Sequence, residues 1–291
     1  MLASLEIISP NTFEVPISWQ NHLGMARQMI ISRGGPKSIH RKDKVGYFLS
    51  TWFAYFDVLG SLSGSKADQP LAPSYWAAQD TERLEDEFQI DCLLGFTSHC
   101  IGILARVAEL AKRCQPERLD LEGNVRAEWR PSQEIVDAAQ LIRENLQNSR
   151  EHVYKSCDHR PASGNENESA WDSLEIYATN EAFHWAGLIY LYRRCLNLPS
   201  SSSEVQTCVR KIVGALYKVK RGSTAEACLL FPTFAAGCEM ENQRDREKMR
   251  ERLRDVEGFG MSQIGKARGL LERVWETGKA WEGMVRDEFF G

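Results

Sequence analysis

The segment Phe183–Leu198 reads FHWAGLIYLYRRCLNL, and its apolar residues fall on nearly every side of a helix rather than along one stripe. Such a helix belongs in the middle of a bundle, where neighbours cover all of its faces. It is expected to begin at Trp171, and Pro199 with the four serines after it should end it at Leu198. Downstream, helical spacing predicts four more helices, over Ser203–Lys220, Ser223–Met240, Asn242–Val256 and Ser262–Phe289. Pro232 should kink the second of these, since proline removes a backbone donor and clashes with the preceding turn.

Upstream the same period holds. Ser18–Arg33 is expected as a helix capped by Ser18, with Trp19, Leu23, Ala26, Ile30 and Ile31 facing the core. Gly34, Gly35 and Pro36 terminate it. From Asp43 to Leu59, Tyr47, Phe48, Trp52, Phe56 and Leu59 share a wide face that Phe53 and Tyr55 extend almost round the helix. That pattern predicts deep burial. Thr81–Cys114 reads as one long helix with an acidic entry, which suits the positive end of a helix dipole. Another is expected from Pro131 to about Lys155. No run alternates with period two for long enough to need a sheet, and no internal repeat occurs. The expected fold is all-α: a single large domain over residues 1–291, about ten helices packed as antiparallel pairs. Within it, an N-terminal half (1–155) and a C-terminal half (170–291) flank the polar, aperiodic stretch 156–169, which reads as a surface loop.

Composition narrows the function. Thirty-six basic and forty acidic side chains leave a net charge of −4, which argues against direct DNA binding by this chain. No two of the eight cysteines are separated by two residues, so neither a zinc ribbon nor a redox Cys-x-x-Cys is present. Their scatter through apolar runs fits a reduced intracellular protein. No apolar stretch of membrane-spanning length occurs, and the start lacks the basic region of a signal peptide, so no membrane role is expected.

Particular residues then become recognisable. NEAFHWAGLIYLYRRCLNLP (Asn180–Pro199) resembles the central signature of the fungal-specific transcription factor domain, the regulatory domain of fungal zinc-cluster transcription factors. In that family an acidic residue and a histidine precede an IYLYR-like helix and a proline. Gly222-Ser223, LLFPTFAAGCE (Leu229–Glu239), the Gly258–Gly260 turn and LLERVW (Leu270–Trp275) are similar to the family in order and spacing. Upstream, so are WQNHLGMARQMIISRGG (Trp19–Gly35), FAYFDVLGSLS (Phe53–Ser63) and DCLLGF (Asp91–Phe96). The resemblance spans nearly the whole chain, although no single piece of it is specific.

The resemblance implies a regulatory, inhibitory or effector-sensing domain that resides in the nucleus, with the cytoplasm as the alternative. Its partners would be proteins of the transcription machinery, the same factor's DNA-binding module, or a small-molecule effector. Members usually carry a binuclear zinc cluster of six cysteines, and nothing in these residues matches it. The module lies upstream, or the chain is a domain-only relative. A stand-alone helical interaction module and an enzyme recruited from the scaffold are the alternative readings.

Candidate effector-binding residues are Trp52, Tyr55, Asp57, His184 and Trp185. His184 stands at the entrance to the most buried helix, where it could meet an effector or simply hydrogen-bond a neighbouring helix. Asp57 lies in apolar surroundings, where an unpaired carboxylate is expensive, so it should pair with an arginine or cap a backbone. Arg33 and Arg193 are candidate partners, and a place in a pocket wall is the alternative.

No catalytic residue, metal or cofactor is called for. His152, Cys157 and His159 are three zinc-type ligands where four are needed. The acids from Asp80 to Asp91 contain no Asp-Asp-x-x-Asp and read as a solvated helix entry. The six basic residues of Arg244–Arg254 are matched by six acids between Glu241 and Glu257, interleaved at helical spacing, which predicts a solvated, ion-pair-laced face.

Overall fold

A computed structural model describes residues 19–35, 38–39, 43–63, 88–91, 94–152, 166–258, 261–285 and 288–290, with residues 20, 166–173, 224 and 227 described by backbone alone. Among these the protein is all-α, with nine helices of two turns or more and one single turn. The sole β features described are two isolated bridges, Ile90 with Thr97 and Leu119 with Val125.

Helix α1 (Trp19–Ser32) ends as its glycines dictate. Gly34 and Gly35 take positive φ, and their N–H groups reach back to Ile31 O (3.0 Å) and Ile30 O (2.9 Å). The expected cap Ser18 lies outside the described residues. Helix α2 (Lys44–Leu62) is capped by Asp43, whose carboxylate accepts from Gly46 N at 2.9 Å. It runs three residues beyond the expected Leu59. Its second half is buried, but Phe48 is exposed, as is Ile31 on α1, and both were expected in the core. One edge of this helix pair therefore faces outward.

The expected Thr81–Cys114 helix is corrected. Its first part lies outside the described residues, and the helix proper, α3, spans Ser98–Arg118. Gly95 breaks the run with φ +78°, and a Cβ there would meet Thr179 Cγ2 at 2.4 Å. Asp91 accepts from Leu94 N (3.1 Å), so Leu94 and Phe96 are buried by a turn rather than by a helical stripe. Thr97 caps α3 through Cys100 N at 3.1 Å. Helix α4 (Gln133–Arg150) is capped by Ser132 and buries Ile135, Ala139, Ile142 and Leu146.

Helix α5 (Glu166–Tyr190) is the centre of the molecule, and every residue from Ala182 to Tyr192 is buried. It continues as a π-helical turn, Leu191–Cys195, before Asn197 leaves the helix with φ +53°. Helix α6 (Ser203–Lys218), capped by Ser202, makes the most extensive pair with α5. The predicted Ser223–Met240 helix is instead two, a single turn α7 (Thr224–Ala227) and α8 (Leu230–Cys238). Pro232 thus sits in the first turn of α8, where a missing N–H leaves no bond unmade, and it starts a helix rather than kinking one.

Helix α9 (Gln243–Glu257) follows its cap Asn242, and α10 spans Ser262–Thr277. The latter stops twelve residues short of the expected Phe289, because Gly278 adopts the left-handed conformation (φ +67°) that closes a helix. A 3-10 turn, Trp281–Gly283, follows, and Phe289 and Phe290 then fold back into the core. Phe289 meets Trp19 and Phe56, Phe290 stacks on Phe234 at 3.8 Å, and Phe290 N donates to Ser63 Oγ. One hydrophobic cluster therefore runs from Trp19 to Phe290. No helix of the described residues is long and apolar enough to cross a membrane.

Candidate functional site

The five expected effector residues occupy two separate settings. On α2, Asp57 is buried and ion-paired with Arg27 of α1, not with Arg33 or Arg193. The four-residue steps of α1 carry Leu23 and Arg27 along the face that meets α2, whereas Arg33 is exposed past the helix end and Arg193 pairs with Glu239. Trp52 stacks on Phe56 and takes Phe48 edge-on. Tyr55 packs on Phe56 and Phe96, and burial raises its phenol above the ordinary range.

On α5, His184 is fully buried. Its Nδ1 lies 2.8 Å from Asn180 O, an acceptor, so Nδ1 carries the proton and Nε2 accepts from Ser149 Oγ at 2.9 Å. The thiol of Cys100 stands 3.9 Å from Nδ1. Burial, opposed in part by the bond to Asn180, lowers the imidazole to about 4, so it is neutral at physiological pH. Trp185 points to a different neighbourhood, with the Arg150 guanidinium 4.1 Å above its ring and its Nε1 donating to Glu181 at 3.2 Å. The two groups are linked through the rings Tyr55, Phe96 and Phe183, with Phe96 and Phe183 stacked at 4.1 Å.

None of the five lines the cavity of about 490 Å³ that opens beyond the C-terminal end of α5. There the π turn places Arg193 and Arg194 in succession on the same wall. Single π turns of this kind recur at functional sites. Arg194 is buried against the rings of Trp281 (5.1 Å) and Tyr190 (5.3 Å), which also touch each other. Its Nε lies 3.2 Å from Glu282 Oε1, and the equally buried Arg118 donates to that same oxygen at 2.8 Å. Burial works to raise the Glu282 carboxyl, but the charges of Arg118 and Arg194 and its hydrogen bonds outweigh it, holding the group below the usual carboxylate range. Beside this trio, Arg193 pairs with Glu239 at 2.7 Å, and Ser200 Oγ donates to the same carboxylate. The wall is completed by Arg246, Lys279 and the ring of Trp275.

Sequence reasoning missed this site. Its one local signal is the Arg193-Arg194 pair inside an otherwise apolar helix, where two charges demand partners. The partners come from far along the chain, Arg118 from the end of α3 and Glu282 from the 3-10 turn.

The family model described as the fungal specific transcription factor domain matches residues 1–281. The chain belongs to that family. No curated protein matches it, and no solved structure does.

The other residues weighed for metal chemistry in this fungal-specific transcription factor domain divide between described and undescribed positions. His152 stacks on Phe88 at 3.7 Å, while Cys157 and His159 lie outside the described residues, as do the acids from Asp80 to Glu87. Among the described residues no three His, Cys, Asp or Glu side chains are gathered as a metal would require.

On α9 the expected ion pairs exist, but they reach neighbouring elements rather than the next turn. Arg250 pairs with Glu272 (3.1 Å), Arg252 with Glu226 (2.8 Å), Asp255 with Arg221 (2.9 Å) and Glu257 with Arg268 (2.9 Å). Arg252 is itself buried, so this helix is pinned to the bundle along one face by charge. The expected reading of a wholly solvated face is corrected accordingly.

Proposed function

We propose that this domain is the regulatory part of a nuclear transcription factor and carries no enzymatic activity. It acts through contacts with protein partners or with the factor's own DNA-binding module, and its output is set by which of these it holds. Membership of the family over residues 1–281 is the observation that carries the reading. The charge arrangement supports it: four charged residues on α9 are engaged by opposite charges on other elements. Cations committed in this way are not available to release counter-ions from a phosphate backbone, which is the main source of DNA affinity.

The test is a reporter driven by a heterologous DNA-binding module, with and without residues 1–291 fused to it, in fungal cells. A changed reporter output is the expected result. Equal output from the fused and unfused modules, in several media, overturns the regulatory reading. A salt-resistant complex of the isolated chain with one DNA sequence would overturn the assignment of DNA contact to another module.

A further inference from the structure

The arginine-lined cavity holds more positive charge than its own carboxylates neutralise. Five cationic side chains line it (Arg118, Arg193, Arg194, Arg246 and Lys279) against two acids, Glu239 and Glu282. The imbalance is sharpest where Arg118 and Arg194 share one oxygen of Glu282. Both guanidinium groups are more than nine-tenths buried, and Arg118 Nε has no hydrogen-bond acceptor. Two buried like charges served by one counter-charge are an arrangement that a further anion relieves.

Backbone carbonyls take only single donors from these cations. The ends of α3, α8 and α10 converge here, and a carbonyl at each is taken by a backbone donor: Gln115 O by Leu119 N (3.0 Å), Ala236 O by Glu239 N (3.1 Å), Val274 O by Gly278 N (2.9 Å). Arg193, Arg194 and Arg246 each give one donor to a carbonyl, of Leu198, Leu62 (3.4 Å) and Met240 respectively, which occupies a donor and leaves the charge unneutralised. Arg118, Arg194 and Lys279 carry the surplus.

Size and lining narrow the ligand. The volume of about 490 Å³ falls within the range of small-molecule sites and is far more than an inorganic ion needs. Apolar surface from Trp275, Val125 and Val274 faces the same space. We propose that this cavity binds a small organic anion, its carboxylate or phosphate against Arg118, Arg194 and Lys279 and its body against Trp275. A guanidinium recognises both head groups through the same forked donors. The inference deepens the regulatory reading by giving an effector a place and a chemical class, and it rests on that reading only for its biological use.

The test titrates the 291-residue chain with citrate, phenyl phosphate and inorganic phosphate at constant ionic strength, reading tryptophan fluorescence and melting temperature. Saturable binding of citrate or phenyl phosphate, with Kd below about 1 mM, is expected, and the tighter of the two names the head group. Lys279 is exposed and makes no ion pair among the described residues, so Lys279→Glu should not lower the unliganded melting temperature and should weaken binding by about tenfold or more. Absence of saturation with all three probes overturns the proposal, as does unchanged affinity in the Lys279→Glu chain. Equal affinity for inorganic and phenyl phosphate overturns the organic-anion assignment. Failure here leaves the reporter result standing, because that measurement does not depend on the cavity.

Discussion

His184 and Arg194 lie ten residues apart on one continuous helical element, both almost without solvent contact, and they solve the same problem in opposite ways. At His184 the charge is given up. The ring is neutral, and each nitrogen has a hydrogen-bonding partner, Asn180 O and Ser149 Oγ. At Arg194 the charge cannot be given up, because a guanidinium stays protonated at any accessible pH. The bundle therefore brings in Glu282, then adds Arg118 to the same carboxylate. A neutral, satisfied polar group makes a closed piece of core. A charged group with a surplus around it makes a site that still has something to bind.

The largest expected effect tests the charged half of this contrast. Glu282→Ala leaves two buried guanidinium groups without their carboxylate and should lower stability by about 3–5 kcal/mol, measured by urea unfolding. The pH dependence has a definite sign. The folded-state pKa of Glu282 is depressed, so its contribution is present above the unfolded carboxylate range and is lost as pH falls through the folded value. The wild-type melting temperature should drop in acid by a component that the variant lacks. A cost below about 1 kcal/mol, the range of an exposed pair, would show the trio to be solvated and break the comparison.

A burial control lies between the two residues. Ile189 is buried in the all-round apolar stretch of α5, and Ile189→Ala should cost about 2–5 kcal/mol through lost burial and the cavity left behind. Circular dichroism of the variant should show one cooperative melt at a lower temperature. An unchanged melting temperature would remove α5 from the centre of the bundle.

The neutral half of the contrast makes a pH prediction of its own. Burial lowers the folded-state pKa of His184 to about 4 from the ordinary 6.5, so between those values the unfolded chain binds the extra proton. Stability should therefore fall as pH is lowered from 7 towards 4, by up to about 3 kcal/mol, since each pKa unit is worth about 1.4 kcal/mol. His184→Gln should flatten that slope, whatever its effect at neutral pH. A wild-type slope that the substitution leaves unaltered would mean that the imidazole is not the group being protonated.

What could be read from the chain in advance follows the range of the signals. Helices α6 and α9 end within two residues of expectation, because Ser202 and Asn242 mark their starts locally. The centrality of α5 was legible because an apolar helix with no polar face has nowhere else to go. Errors arose where one residue carried the decision. Gly95 and Gly278, both with positive φ, end runs whose apolar spacing continues past them. Pro232 reads the same at a kink as in a first turn. The cavity was the least legible feature, since Arg118 and Glu282 are separated by 164 positions and meet only after the C-terminal segment folds back. Asp57 showed that a partner was needed, but only the docking of α1 selects Arg27.

The smallest expected effect lies on α9, where the chain presents six cations that look alike in RDREKMRERLR. Packing separates them. Arg252 is buried against Glu226 and belongs with Arg194 as a charge the fold must satisfy. Lys248, four residues earlier, is exposed and makes no ion pair among the described residues. Lys248→Ala should therefore change stability by no more than about 1 kcal/mol, the upper end for an exposed charge. Adding salt should shrink even that, because a charge in water is screened within about 10 Å at ordinary ionic strength. The measurement is a pair of urea titrations, at low and at moderate salt, on the wild type and the variant. A loss of several kcal/mol would place Lys248 among the structural cations. The division of α9 into a pinned face and a free one would then fail, and with it the argument that position in the bundle, not residue type, decides which charges matter.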